Sequence, residues 1–241
     1  MPIYRGGQKV TPVRGSQPVS RVYRGSSLVW QAGKAVTPAE LGAIHWLPFI
    51  SDPLEDLGTE PGVWRDSWGN ATIEDGAIVR GTIRINQYET TYNPLAGASI
   101  SAWVYPVAGD DGAFSTMLEA AAQNYSLSFT FRQDTRAISW RYRSGAANAR
   151  WINVGTLPTG WSHVALAMEP ISGTTWRYRG YLNGAEIVNE TYDAGAQGAA
   201  NYPDPRVQPS YSSQWFDDFA VYNHPISAAD AAALYEAGRT N

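Results

Sequence analysis

Two runs that alternate aromatic and cationic residues, Trp140-Arg141-Tyr142-Arg143 and Trp176-Arg177-Tyr178-Arg179, with Arg150-Trp151 between them, have the types and spacing of a binding surface. Aromatic rings lie flat against sugar faces and arginine forks hydrogen-bond hydroxyls or acidic groups, so the set fits glycan recognition. Alternation at strand spacing also admits a second arrangement, rings in the core and arginines on the solvated exterior, and it favours that one. Nucleic acid is disfavoured as a ligand, because the larger part of the chain is net acidic.

Such a set must be carried by antiparallel strands, and the chain supplies them. Gly160-Trp161-Ser162-His163-Val164-Ala165-Leu166-Ala167-Met168 is followed by Trp176-Arg177-Tyr178-Arg179-Gly180-Tyr181-Leu182-Asn183-Gly184-Ala185-Glu186-Ile187-Val188. Aromatic and β-branched residues dominate both, and Asn183-Gly184 accepts the positive φ angles that a two-residue hairpin requires. Ser99 to Pro106 and Tyr125 to Arg132 alternate apolar with polar residues, as half-buried strands do. Asn201 to Pro209 reads as a proline-rich loop, and the one substantial helix follows it, capped by Ser227, with Asp230 at its third position and Gly238 to end it.

The Trp161-x-His163-Val164-Ala165 strand and the Tyr181-Leu182-Asn183-Gly184-x-x-Ile187-Val188 hairpin resemble the central strands of laminin G-like domains. Ile44-His45-Trp46-Leu47-Pro48-Phe49 looks like that family's opening strand, Gly69 to Ile73 like the segment after its first long loop, and Trp215 to Asn223 like its closing strand. The alanine-rich helix ending in Leu234-Tyr235 completes the order, so the resemblance runs from Ile44 to Asn241. It implies an all-β fold, the concanavalin A-type jelly roll of two antiparallel sheets, with one short C-terminal helix.

That fold includes glycoside hydrolases, which need two carboxylates flanking the scissile bond. The usual E-x-D-x-x-E or E-x-D-x-E strand is absent; Glu55, Asp56 and Glu60 lie among Pro53, Gly58 and Pro61 in a loop, and Glu186 and Glu190 look like solvent-side residues of an edge strand that could share a face. The expectation is a protein that is not an enzyme. Some laminin G-like domains hold calcium through loop carboxylates at the sandwich rim, which makes Asp110, Asp111 and Asp218 weak calcium candidates. Calcium takes six to eight oxygens, and the adjacent Asp217 and Asp218 should point to opposite faces of their strand, so no cofactor is expected. His45 and His163 alternate with apolar neighbours, and His224 sits in the turn before the helix; with no paired ligand spacing, all three read as satisfied structural histidines.

The chain has 241 residues, 44% of them hydrophobic and 17% charged, enough to bury a sizeable core in one large β domain or two small domains. There is no cysteine, and the only lysines are Lys9 and Lys34, so positive charge is almost all arginine. No segment has the length of a membrane span, and the amino terminus shows no apolar run after its first charges; the expectation is synthesis in a cytoplasm without a cleaved leader and no membrane insertion. The net charge of −4 conceals an asymmetry: residues 1–30 carry Arg5, Lys9, Arg14, Arg21 and Arg24 with no acid, whereas all 22 acids lie beyond them.

Those first thirty residues hold a repeat: Ile3 to Val10, Pro12 to Val19 and Val22 to Trp30 each read as strand, glycine turn and strand. No single copy can bury its apolar side, so the arm needs a partner surface or other copies of itself, and a threefold bundle would serve. The Tyr-Arg-Gly pattern is similar to the amino-terminal segments of tail and other virion proteins from bacteriophages of actinobacteria. The division read from the sequence is a basic arm (1–30), a linker with a short helix capped at Thr37 and ended by Gly42 (31–43), and the jelly roll (44–241). The resemblance implies a virion structural protein, a minor tail or capsid-decorating protein attached to other virion proteins through Tyr4, Arg5, Arg14, Tyr23, Arg24 and Trp30, forming a homo-oligomer and displaying the jelly roll toward host cell-surface glycans. A free carbohydrate-binding module is the alternative, and a glycan hydrolase a more distant one.

Overall fold

The computed structural model describes residues 4–5, 8–9, 13–14, 17–18, 21–24, 27–31, 36–49, 55–66, 72–74, 77–80, 83–85, 97–105, 114–120, 126–131, 137–144, 148–193, 203–209 and 215–239. In the arm they form β1 (Tyr4–Arg5), β2 (Gln8–Lys9), β3 (Val13–Arg14), β4 (Gln17–Pro18), β5 (Arg21–Arg24) and β6 (Ser27–Gln31). These pair antiparallel as β1 with β2, β3 with β4 and β5 with β6, one hairpin for each copy of the repeat, and among the described strands none pairs with another copy or with the body. Gly6-Gly7, Gly15-Ser16 and Gly25-Ser26 separate the paired strands, the two-residue spacing of tight hairpins.

The joint keeps its capping box. Thr37 N–H donates to Glu40 Oε2 at 3.1 Å and Glu40 N–H returns to Thr37 Oγ1 at 3.3 Å, but the expected helix is a single turn, which Gly42 ends at φ 79°. With four residues between cap and glycine there is too little chain to propagate further.

The body begins with β7 (Ala43–Leu47), β8 (Trp64–Asp66), β9 (Thr72–Glu74), β10 (Ala77–Arg80), β11 (Ile83–Ile85) and β12 (Ala98–Tyr105). It continues with β13 (Phe114–Ala120), β14 (Ser126–Phe131), β15 (Ala137–Ser144), β16 (Asn148–Thr156), β17 (Ser162–Ser172), β18 (Thr175–Leu182), β19 (Ala185–Asp193), β20 (Pro203–Pro209), β21 (Trp215–Tyr222) and α1 (Ala228–Ala237). The largest sheet runs β19-β18-β17-β12-β21-β10-β9, with β7 also bonded to β21. A second runs β13-β20-β11-β8, and β14-β15-β16 forms a third. Every described pairing is antiparallel, as the jelly-roll reading required.

Asn201 to Pro209 is not a loop throughout: β20 pairs with β13 along its whole length and with β11 at Arg206 and Val207. Pro203, Pro205 and Pro209 share one parity, so their missing N–H groups fall on one side of the strand and the other side keeps its full row of donors.

Alternation divides the large sheet into two faces. Ala98, Ile100, Ala102 and Val104 of β12 join Val164, Leu166 and Met168 of β17 and Phe216, Phe219 and Val221 of β21 in the inner core, closed by Trp64 and Ile83 of the second sheet. The opposite face carries a smaller cluster, Trp46, Ala165, Ala167, Tyr181, Ala220 and Tyr222, covered by Ile226 and by Ala231 and Leu234 of α1. α1 starts at the predicted Ser227 cap, whose oxygen accepts from Asp230 N–H at 3.2 Å while Asp230 Oδ2 accepts from Ser227 N–H at 2.8 Å.

Candidate functional site

On this outer face, beyond the point where α1 covers it, the sheet is open. The alanines of β17 and β21 let the helix settle closely, but α1 is ten residues long and stops at Gly238, where φ is 80°. Between its last turn, the Thr37-Pro38 turn and the sheet lies a cleft of about 290 Å³. Its floor combines Ser101 and Trp103 of β12, His163 of β17, Asp218 of β21 and Trp46 of β7; Leu234, Ala237 and Arg239 form one wall and Val36 to Pro38 the other.

A β-bulge builds the acidic corner. Ser101 and Trp103 on β12 oppose Ala220 and Asp217 on β21, so three steps on one strand match two on the other, and Asp218 takes up the excess at φ 49°. Phe216 and Phe219 remain in the inner core on either side, while Asp217 and Asp218 both turn outward. The expectation that adjacent carboxylates here face opposite ways is corrected: it holds for a regular pleat, and the bulge breaks the pleat.

Asp218 Oδ1 accepts from Trp46 Nε1 at 3.0 Å. Asp217 Oδ1 accepts from Asp218 N–H at 2.8 Å, and its Oδ2 accepts from Arg239 Nε at 2.8 Å. Burial and the neighbouring Asp218 charge push the Asp217 carboxyl up to about 6, against the opposing pull of Arg239. The Arg239 guanidinium carbon also lies 3.7 Å from the ring centroid of Trp161, so one side chain ties the carboxylate to the aromatic rim formed by Trp161 and Tyr105.

His163 sits opposite Trp103, 5.4 Å away between ring centroids, and Trp103 in turn stacks on Tyr235 of α1 at 5.8 Å. The backbone of His163 is held on both sides by Asn183, whose N–H donates to His163 O at 2.8 Å and whose Oδ1 accepts from His163 N–H at 2.9 Å. Burial lowers the imidazole to about 4, so the ring is neutral at physiological pH. The expectation of a satisfied histidine is overturned here: Nδ1 is buried and has no hydrogen-bond partner.

The other two histidines are structural. His45 Nδ1 donates to Asp56 Oδ2 at 2.8 Å, and His224 is exposed in the turn, edge-on to Tyr222. Asp56 anchors the loop after β7, accepting from Trp46 N–H, Gly58 N–H, Gly62 N–H and Trp64 Nε1 at 2.8–3.0 Å. Burial would raise its carboxyl, but these donors and His45 outweigh it and hold it below the ordinary value.

Of the predicted glycan contacts on β18, Trp176 and Tyr178 are each only 3% exposed and belong to the inner core. They cannot meet a surface ligand, because the alternation that sets them between arginines buries the rings. Arg177 and Arg179 are on the outer side, each paired with Glu169, and burial of Arg179 is offset by that pairing, which raises its pKa. Trp140, Arg141, Tyr142 and Arg143 are on β15, and their side chains lie outside the described residues. So do those of Tyr4, Arg5, Arg14, Tyr23, Arg24 and Trp30, whose backbones form the arm hairpins, and Asp110 and Asp111 lie outside the described residues altogether. Among the described residues no group of three or more acidic or histidine side chains converges on a metal position.

Glu186 and Glu190 do not share a face. Tyr181 opposes Glu186 and Tyr178 opposes Glu190, so a bulge inserts one residue in β19 and leaves Glu186 on the outer side with Tyr181 and Glu190 on the inner side with Tyr178.

Neither the cleft nor Asp56 was read from the sequence as a site. Asp56-Leu57-Gly58 carried a signal, an Asx turn in which the aspartate accepts from the N–H two residues on. The cleft carried none, since its floor comes from four strands far apart in sequence.

Comparisons place this architecture. No curated protein matches the chain in sequence. Among solved structures, the receptor binding domain of botulinum neurotoxin C/D mosaic serotype is similar, with TM-score 0.63 at 14% identity over 82% of this chain and 51% of that one. The Botulinum Neurotoxin Type G Receptor Binding Domain gives 0.60 at 14% identity over 81% and 51%, and the binding domain of Paraclostridial Mosquitocidal Protein 1 gives 0.61 at 14% over 80% and 52%. The chain spans about half the length of each of these, and at such identity they share its fold. A laminin G family model described as "Concanavalin A-like lectin/glucanases superfamily" matches residues 80–232, more than half of the chain, and the chain therefore belongs to that superfamily as a laminin G-like member.

Proposed function

We propose that this chain is a displayed binding protein: its laminin G-like body recognises glycans on a cell surface, and its basic arm fastens it to a larger particle, a bacteriophage virion, as a minor tail or capsid-decorating component. The observation that carries the reading is the division of the chain. Three separate hairpins of very short strands precede a lectin-type body and, among the described strands, pair with nothing in it. A two-stranded hairpin is marginal alone in water, so the arm gains stability only against other virion proteins or other copies of the chain, and a threefold bundle satisfies that requirement. Its five positive charges steer it toward an acidic partner surface.

Binding without cleavage is the reading that the site favours. The superfamily's description includes glucanases, but the similar structures are titled as binding domains, and Glu186 and Glu190 are on opposite faces of the sheet. In this reading the chain is made in the cytoplasm of the infected host and carried on the virion.

The test uses the full chain and a form lacking residues 1–30. The full chain should bind host cell-wall glycan in a sedimentation assay, release no reducing sugar from it, and be found by immunogold labelling on purified particles. The truncated form should keep glycan binding and fail to join the particle. Normal incorporation of the truncated form would remove the role given to the arm, and absence of binding to any host glycan would remove the role given to the body.

A further inference from the structure

We propose that the outer side of β18 binds a glycan through a singly charged acidic group on the sugar, a carboxylate or a phosphodiester, held by the Arg177 guanidinium, with Glu169 and Thr191 as partners for the sugar's hydroxyls. This rests on the glycan-binding reading above and adds the class of glycan and the strand that meets it. Trp176 and Tyr178 are withdrawn into the inner core, so this part of β18 offers a ligand no ring to stack on. What it keeps on the outer side is charge, and recognition there reads an ionic group and hydroxyls rather than the flat face of a sugar.

The two arginines of β18 are not equally engaged. Arg179 Nη2 donates to Glu169 Oε2 in a part-buried contact, and its side chain is 19% exposed. Arg177 has one charge contact among the described residues, Nη1 at 3.6 Å from the same Oε2, which is too long for a hydrogen bond, and its side chain is 39% exposed. One carboxylate oxygen thus serves two guanidiniums, and the planar fork of Arg177 keeps its donors for an oxyanion, which it can take bidentately. Both contacts fall on Oε2, so Glu169 Oε1 accepts no hydrogen bond among the described residues and is open to a hydroxyl. Across the ladder Arg177 lies between Glu169 of β17 and Thr191 of β19, and Thr191 is exposed. Three neighbouring strands span about 10 Å, room for a single sugar residue with its substituents. Asp193 and Glu186 of β19 stand opposite Thr175 and Tyr181, so neither faces Arg177 directly across the ladder. One loosely held fork matches one negative charge, which sets the ligand as a monoanion.

The experiment titrates the full chain with methyl glucuronide, with a methyl phosphodiester of methyl glucoside and with neutral methyl glucoside, reading heat of binding and the 15N shift of Arg177 Nε. Arg177→Gln removes the fork, Arg177→Lys keeps the charge without the bidentate geometry, and Lys34→Gln lowers the net charge equally in the linker; circular dichroism and melting temperature confirm that each is folded. Expected are binding of at least one acidic glycoside in preference to the neutral one, movement of the Arg177 resonance, and loss of affinity of about tenfold or more in Arg177→Gln, the scale of a charged hydrogen-bonded pair. Arg177→Lys should fall between the two, and Lys34→Gln should bind as the wild type does. Binding of the glucuronide alone names the carboxylate as the group, and binding of the phosphodiester alone names the phosphate. If the neutral glycoside binds as well as the acidic ones, if folded Arg177→Gln binds them undiminished, or if Lys34→Gln loses as much as Arg177→Gln, the assignment to Arg177 is overturned. Host glycan bound equally by the wild type and Arg177→Gln would then leave the glycan-binding reading standing without this site. If the wild type binds neither the glycosides nor host glycan, both fail together.

Discussion

The indole Nε1 of Trp46 donates to Asp218 Oδ1 at 3.0 Å, joining the first strand of the body to its last across 172 residues. Both groups are buried, so the bond both closes the sheet and fixes the carboxylate at the floor of the cleft. Trp46→Phe should lower stability by about 1–2 kcal/mol, since a buried carboxylate loses a donor. Combined with Asp218→Asn, the loss should fall short of the sum of the single variants by at least about 0.5 kcal/mol. Urea denaturation of the four proteins measures the coupling, and strict additivity would show that the bond carries no weight.

Asp56→Ala should be far more damaging. Five donors converge on this one carboxylate, from His45, Trp46, Gly58, Gly62 and Trp64, and alanine strands them all. A loss of at least about 3 kcal/mol is expected, with increased amide exchange across residues 55–63. A change below about 1 kcal/mol would mean that water replaces the carboxylate without cost.

Gly58→Ala tests the same loop by volume. A Cβ there would lie 2.2 Å from Ile44 O and 2.5 Å from Ile44 C, both backbone atoms of β7 that cannot swing aside. The loop must lift off the strand, for a loss of about 2 kcal/mol or more. An unchanged melting temperature would show that the loop is not seated against β7.

Two buried groups give opposite pH dependences. His163, lowered from 6.5 to about 4, favours its neutral form in the fold, so its contribution is intact above about pH 6.5 and is lost as pH falls toward 4, on the order of 3 kcal/mol in all. Asp217, raised from 3.8 to about 6, favours its protonated form, so its contribution is present below about pH 4 and is lost as pH rises through 6. Between about pH 4 and 6 the two oppose each other. Asp217→Asn removes the second, and its melting temperature should climb more steeply with pH across that window than the wild type's. Parallel curves would refute the assignment to Asp217.

Local chemistry was legible in the sequence wherever neighbours along the chain decide it. Asn183-Gly184 turns with φ 49° and 77°, Ser227 and Asp230 close a capping box, and the alternation of β12 and β17 separates Ile100 from Trp103 and Leu166 from His163. Within the arm, the described strands pair antiparallel inside each copy of the repeat, β1 with β2, β3 with β4 and β5 with β6. Alternation on β18 told which residues would differ in burial, and its weight lay with the rings inside; Trp176 and Tyr178 are there.

What the tertiary structure decided lies at mismatches between strands. A bulge exists only relative to a partner, so nothing local to Asp217-Asp218 or to Glu186–Glu190 says that the first pair shares a face and the second does not. Asn201 to Pro209 looked like a loop because proline opposes strand pairing, yet the parity of its three prolines leaves one row of donors whole, and β13 supplies the partner. The cleft depends on where α1 ends over β12, β17, β21 and β7, and that juxtaposition is fixed by the inner core, which orders strands distant in sequence. His163 is therefore a core-patterned residue by its neighbours and a cleft residue by its surroundings, since burial is set by what packs above it rather than by the alternation it obeys.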